Sequence, residues 1–290
     1  MSYNYLLLNG IVFCLVNGIF LFVGSFLNVV VALSIWKSSQ LRKKLCYFMI
    51  FILSCCDLVV VIVLHPLAIF QYILWFIKGF GAHSRPFHMF LYITNILCSC
   101  SLFGLLTMTL ERYLGLAYPI FHKTSVTKRK LVTFLLATQA FAIILNTITL
   151  KFKVNVIEQP YTLPFMSVFA FLVMILNCKM FLIAKSRHNT SSSNGKRKIF
   201  EYKKYYTCLL AAVLFFLCCC PIFVYYGLFF SNILDKTSDT SGCLYFWASS
   251  VITMNSTVNA IIFFWINNVL RSEGKKLVKK LQSSLLGRLS

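Results

Sequence analysis

Seven long stretches of this sequence carry no Asp, Glu, Lys or Arg, apart from a single aspartate, and basic residues gather between them. They cover 2–36, 45–77 (broken only by Asp57), 86–110, 131–150, 159–178, 205–234 and 240–270. A hydrocarbon layer about 30 Å thick is crossed by about 20 apolar residues in a helix, and each stretch is long enough. None alternates apolar and polar residues as a barrel strand does, and in lipid a helix satisfies its own backbone. The expected fold is an all-α membrane protein, a seven-transmembrane helix bundle over 1–266. Its helices should lie near 6–36, 46–76, 87–118, 130–150, 160–185, 203–231 and 243–266.

Residues 267–290 read as an amphipathic cytoplasmic tail helix. Leu270, Leu277, Leu281, Leu285 and Leu289 recur at spacings of four or seven, flanked by Lys275, Lys276, Lys279 and Lys280. Such a helix lies along the anionic inner leaflet, so membrane lipids are expected partners.

With 59% hydrophobic residues, 12% charged residues and a mean hydropathy of +0.79, the chain does not suit a water-soluble domain. A net charge of +21 raises the question of nucleic acid, but the basic residues lie between apolar stretches instead of forming one domain face. They report topology: 22 of the 28 Lys and Arg fall in alternate connections or in the tail. By the positive-inside bias the tail is cytoplasmic and the N-terminus extracellular, as in a multi-pass plasma-membrane protein. The first stretch lacks a basic n-region and is too long for a cleaved signal peptide.

Of twelve cysteines, eleven fall inside or at the edges of the apolar stretches, where Cys behaves as a small hydrophobe. Cys243 is expected near the outer surface without an outer-loop partner, and no Cys/His pair has zinc-finger spacing. His65, His83 and His88 are too dispersed for an enzyme site. No inverted repeat or charged ring points to a transporter or channel. The sequon at Asn189 lies in a connection expected to be cytosolic, where it would stay unglycosylated.

Polar groups within lipid are costly, and Asp57 is the one acid inside an apolar stretch. At about 1.5 Å per residue it lies roughly 20 Å from the inner edge. Ser101 lies at about 16 Å, Asn255, Ser256 and Asn259 at about 18–24 Å, and Asn28 at about 14 Å. A carboxylate among hydroxyls and amides at one depth suits a sodium ion or a few waters; separate interhelical hydrogen bonds are the other reading. Nearer the inner edge come Glu111, Arg112 and Tyr113, while Glu201 precedes the sixth stretch and is placed to reach the same arginine. Pro221 removes a backbone hydrogen bond in mid-span, which suits a kink. An arginine held by two acids and released by movement of the sixth helix would be a bistable element.

These residues resemble the rhodopsin-like (class A) G-protein-coupled receptors along essentially the whole chain. The resemblance is carried by Gly24-Ser25-Phe26-Leu27-Asn28, Leu53-Ser54-Cys55-Cys56-Asp57, Glu111-Arg112-Tyr113 and Pro119. It continues with Phe215 and Cys218-Cys219-Cys220-Pro221, then with Asn255-Ser256 and Asn259-Ala260-Ile261-Ile262-Phe263. It implies a sodium pocket at Asp57, Ser101, Asn255, Ser256 and Asn259, and an ionic lock of Glu111, Arg112 and Glu201. It also implies a switch through Phe215, Cys219 and Pro221 that exposes Arg112 and Tyr113 to a heterotrimeric G protein.

The departures are specific. Ala260 and Phe263 stand where the family usually has Pro and Tyr, Cys219 replaces the usual Trp, and Asn177 replaces a Tyr. The fourth stretch has no Trp, Phe87 replaces the usual Cys, and the short second outer loop has no Cys. The missing disulfide and short loop resemble the melanocortin, cannabinoid and adenosine receptors, as does 111–127. The lost Tyr hydroxyl leaves open a receptor-fold protein with weak coupling or none, acting in chemosensing or scaffolding; a seven-span transporter is the more distant alternative.

The resemblance also places a ligand pocket at Thr94, Asn95 and Cys98, with Tyr161 and Phe165, Phe223 and Tyr226, and Tyr245 and Ser249 from the following segments. Thr94 stands at the position diagnostic of amine receptors, where they have Asp, and Thr253 stands in place of the opsin lysine. The expected extracellular ligand is therefore neither an amine nor retinal. It is a small neutral molecule, lipid, odorant or peptide.

Overall fold

The computed structural model describes residues 3–78, 85–151, 162–190, 195–234 and 238–289, with backbone only at some, 162–166 and 195–208 among them. The described residues are 95% helical, with no strand among them. The helices are α1 (Tyr3–Lys37), α2 (Ser39–Lys43), α3 (Leu45–Lys78), α4 (Arg85–Ala117), α5 (Pro119–Ser125), α6 (Lys128–Lys151), α7 (Thr162–Thr190), α8 (Gly195–Phe230), α9 (Asp239–Ile266) and α10 (Asn268–Leu289). Seven of them, α1, α3, α4, α6, α7, α8 and α9, are long and apolar enough to cross a membrane.

Several ends differ from expectation, and local chemistry accounts for them. α9 starts at Asp239 instead of near 243 because Ser238 caps it, its side chain accepting from the Ser241 amide at 3.2 Å. Asp239 then adds a favourable charge at the positive end of the helix dipole. α8 starts at Gly195 instead of near 203, since the Lys and Arg that set off the preceding connection are also good helix formers. At its other end α8 closes with a Schellman motif, Ile233 N to Leu228 O and Asn232 N to Phe229 O, with Asn232 at φ 54°. The connections α1–α3 and α4–α6 fold into α2 and α5, and α5 opens with Pro119 in its first turn.

α4 stands at the centre, touching α3, α5, α6, α7, α8 and α9. α1 lies at the edge against α3 and α9, exposing Leu15, Ile19, Phe22 and Phe26 where lipid would cover them. Lipid is as apolar as these side chains, so close packing and interhelical hydrogen bonds hold the bundle. Gly24 of α1 permits such closeness: a Cβ there would collide with the Thr257 hydroxyl of α9 and meet Val61 of α3 at 3.1 Å. That contact is the physical content of the glycine in the 24–28 motif.

α10 turns away from α9 at Asn267, whose Oδ1 accepts from the Leu270 amide and from the Tyr47 hydroxyl of α3, both at 3.3 Å. Leu270 and Leu277 are buried, and Gly274 sits so close to Phe264 that a Cβ would approach it to 2.5 Å.

Candidate functional site

Three polar levels run down the inside of the bundle. The outermost is a cavity between α4, α7, α8 and α9, with about 700 Å³ of space, part of it open to the outside. Thr94, Asn95 and Cys98 line it from α4, Phe223 and Tyr226 from α8, and Tyr245 and Ser249 from α9. These are seven of the nine residues expected from the sequence. Tyr161 lies outside the described residues, and Phe165 is described by its backbone alone. Phe215 and Cys219 of α8 also line the cavity, so the expected switch residues and the cavity share a wall. Among the described residues no lining side chain is charged, and the buried Thr94 hydroxyl has no hydrogen-bond partner. A buried hydroxyl left unpaired costs about 1–3 kcal/mol unless something bonds to it.

The middle level centres on Asp57 of α3, which is fully buried. Ser101 of α4 donates to its Oδ1 at 3.0 Å, and Asn259 of α9 donates to its Oδ2 at 3.1 Å. Ser256 of α9, also buried, stands near the same carboxylate. Asn28 of α1 donates to the backbone oxygens of Gly24 at 3.0 Å and Ser256 at 3.2 Å, which ties the first helix in. Asn255 is buried, but no described contact joins it to Asp57.

Four oxygens at this level have no donor: Asn28 Oδ1, Ser54 Oγ, Asn255 Oδ1 and Asn259 Oδ1. One carboxylate with spare neutral oxygens fits a small hard cation or ordered water. No cluster of three His, Cys, Asp or Glu exists among the described residues, so the donor set does not suit a soft transition metal.

The innermost level holds Glu111 and Arg112 at the end of α4. Arg112 Nε lies 3.4 Å from Glu111 Oε2, and the other carboxylate oxygen is 3.0 Å from Nε2 of His122 on α5. The Tyr113 and Tyr118 rings meet edge to face at 6.3 Å. Pro221 lies within α8. The Glu201 side chain lies outside the described residues.

Sequence reasoning missed several polar contacts. His122 has no motif to announce it; only the folding back of α5 brings it to Glu111. Asn17, His65 and Ser250 form a buried cluster joining α1, α3 and α9, in which Asn17 Oδ1 accepts from Ser250 Oγ at 2.5 Å and lies 2.8 Å from His65 Nδ1. Asn177 donates to Val173 O at 2.8 Å and to Thr109 Oγ1 of α4 at 3.4 Å. Cys243, four residues from the start of α9, is buried, with its sulfur 4.0 Å from the Tyr72 hydroxyl.

Comparison with known proteins bears on the whole arrangement. The Alpha-1A adrenergic receptor of Mus musculus is 25% identical over 175 residues, covering 54% of this chain and 36% of that receptor. The Homo sapiens receptor of the same name is 24% identical over 188 residues, covering 59% of this chain and 39% of its own length. The chain thus spans well under half the length of these two relatives. Residues 27–263 match the family described as 7 transmembrane receptor (rhodopsin family). With seven apolar helices and that match over most of its length, the chain belongs to the rhodopsin family of seven-transmembrane receptors, a receptor family and not an enzyme class.

Proposed function

We propose that this protein sits in the plasma membrane, N-terminus outside, and passes the arrival of an uncharged extracellular ligand to a heterotrimeric G protein through outward movement of α8. The observation that carries this reading is the cavity, whose described walls bring no charge and which shares Phe215 and Cys219 with α8. A ligand there would favour one bundle arrangement only by its differential affinity for it. The relatives are named for adrenergic ligands, but the cavity of this chain offers a hydroxyl at Thr94. A cationic amine would gain no carboxylate from this wall.

Below the cavity, Asp57, Ser101, Ser256 and Asn259 would hold a sodium ion, with Asn255 as a further oxygen from α9. The ion would supply a positive charge that offsets the buried carboxylate. At the inner end, Arg112 held by Glu111, and by Glu201 in the expected lock, would be freed for the G protein as α8 moves.

The test is ligand-free activation across all Gα classes for wild type, Glu201→Ala and Arg112→Ala, each verified at the cell surface. Raised basal activity in Glu201→Ala in one class, lost in Arg112→Ala, supports the reading. Background activity in all three favours a second reading, weak or absent coupling. Phe263 and Asn177 support that alternative: Phe263 is buried without a hydroxyl, and Asn177 is bonded to Thr109. Orientation is tested at Asn189, where a glycosidase-sensitive mass shift lost in Asn189→Gln would reverse the topology.

A further inference from the structure

Two chain segments that topology alone would leave as scattered positive charge are joined into one patch. Arg42, Lys43 and Lys44 end α2, and Lys128, Arg129 and Lys130 open α6. Lys128 Nζ donates to the Arg42 carbonyl oxygen at 2.7 Å, which fixes the two groups side by side. Aromatic rings hold three of the cations in place: Arg42 lies 5.5 Å from the Trp36 ring, Lys128 lies 5.2 Å from Phe48, and Lys44 lies 6.0 Å from Tyr47. Trp36 is exposed and stacks on Phe51, as suits an aromatic residue at a membrane interface.

This patch is electrostatically unfavourable by itself. Neither 37–44 nor 118–130 contains an Asp or Glu, and the ion pairs described for Glu111 and Glu273 reach none of the six cations. Three cations occupy the first turn of α6, the positive end of the helix dipole, with no acid there. Cations at that end destabilise a helix. Thr127 Oγ1 accepts from the Lys130 amide, so one free amide is already capped, and no described acid offsets the side-chain charge.

We propose that this patch binds the headgroup of a multiply phosphorylated inositol lipid of the inner leaflet. Its six positive charges on two clamped segments match several phosphates better than a singly charged headgroup. Basic clusters immediately cytoplasmic to membrane helices attract such lipids, with affinity rising steeply per charge. The bound phosphates would offset both the mutual repulsion and the dipole conflict, so the lipid should stabilise the fold as well as adhere to it. The inner position rests on the orientation proposed above. In nanodiscs both faces meet the lipid, so the binding test reads the patch independently of orientation, which Asn189 reports separately.

The experiment uses the full chain in phosphatidylcholine nanodiscs containing a fluorescent phosphatidylinositol bisphosphate, or phosphatidylserine at matched total charge. It compares wild type, the triple variant Lys128→Gln/Arg129→Gln/Lys130→Gln, and a tail control with Lys275, Lys276, Lys279 and Lys280 all changed to Gln. The bisphosphate should bind wild type and the tail control alike, raise thermal stability, and bind the triple variant at least about tenfold more weakly. Charge-matched phosphatidylserine should not reproduce the stabilisation. Equal effects of the two lipids, undiminished binding by the triple variant, loss only in the tail control, or equal affinity for soluble inositol trisphosphate would each overturn the proposal. Should the triple variant unfold, Arg42→Gln/Lys43→Gln from the opposite segment decides the matter by the same criteria.

Discussion

Around Asp57, donors from α4 and α9 converge on one carboxylate; around Thr94, side chains from α4, α8 and α9 stand back from open space and bring no charge. The same two helices supply both regions. Thr94 and Ser101 are seven residues apart on α4, as are Ser249 and Ser256 on α9. Two turns of helix, about 10 Å, therefore separate a dense knot around one carboxylate from a chamber whose described walls carry no charge. The difference shows what each region can accept. A carboxylate with surplus neutral oxygens favours a cation, whereas an unpaired hydroxyl among aromatic rings favours a neutral molecule carrying an acceptor.

The largest expected effect tests how dense the knot is. Gly24→Leu would force α1 away from Val61 and Thr257 and pull Asn28 off the Ser256 carbonyl, so surface expression should fall almost to zero. Gly18→Leu, with nothing within 4 Å of its added Cβ, should express normally and separate packing from helix propensity. Next in size, Asp57→Asn should abolish any sodium sensitivity of agonist binding; sensitivity equal to wild type would remove the ion from the knot.

A smaller change separates the two regions further. Thr94→Val deletes an unpaired hydroxyl, so the melting temperature should hold or rise slightly, while agonist potency should drop about tenfold, or about 1.4 kcal/mol. A lower melting temperature with unchanged potency would show that the hydroxyl serves the fold. The smallest effect is Tyr47→Phe, which loses the bond to Asn267; about 0.6 kcal/mol of stability is expected from an interhelical hydrogen bond, read by thermal unfolding.

Much of this was legible in the sequence because lipid imposes a simple rule. A charge-free run must be a helix, and the lone acid in one of those runs must find partners. Depth counting placed Ser101 and Asn259 at the level of Asp57 without reference to helix rotation, and both donate to its carboxylate. It failed to distinguish Asn255, because depth does not say which way a side chain faces around its helix. His122 was hidden because α5 is a short helix in a polar connection, where no hydrophobic period reports a reversal of direction. The Asn17, His65 and Ser250 cluster was hidden for another reason. Each residue looks like an isolated polar interruption until three helices pack.

α8 is a single helix of 36 residues, about 54 Å long, and its proline stands 26 residues from the Gly195 end. The inner arm below Pro221 is thus about 39 Å and the outer arm up to Phe230 only about 14 Å, an arm ratio of nearly three to one. The cavity lies around the fulcrum, with Cys219 just below it and Phe223 just above it. A bend of one degree there would sweep the Gly195 end by about 0.7 Å. Geometry of this kind trades force for travel: a ligand that shifts a few side chains near the proline by a fraction of an ångström would be registered as several ångströms of movement at Gly195.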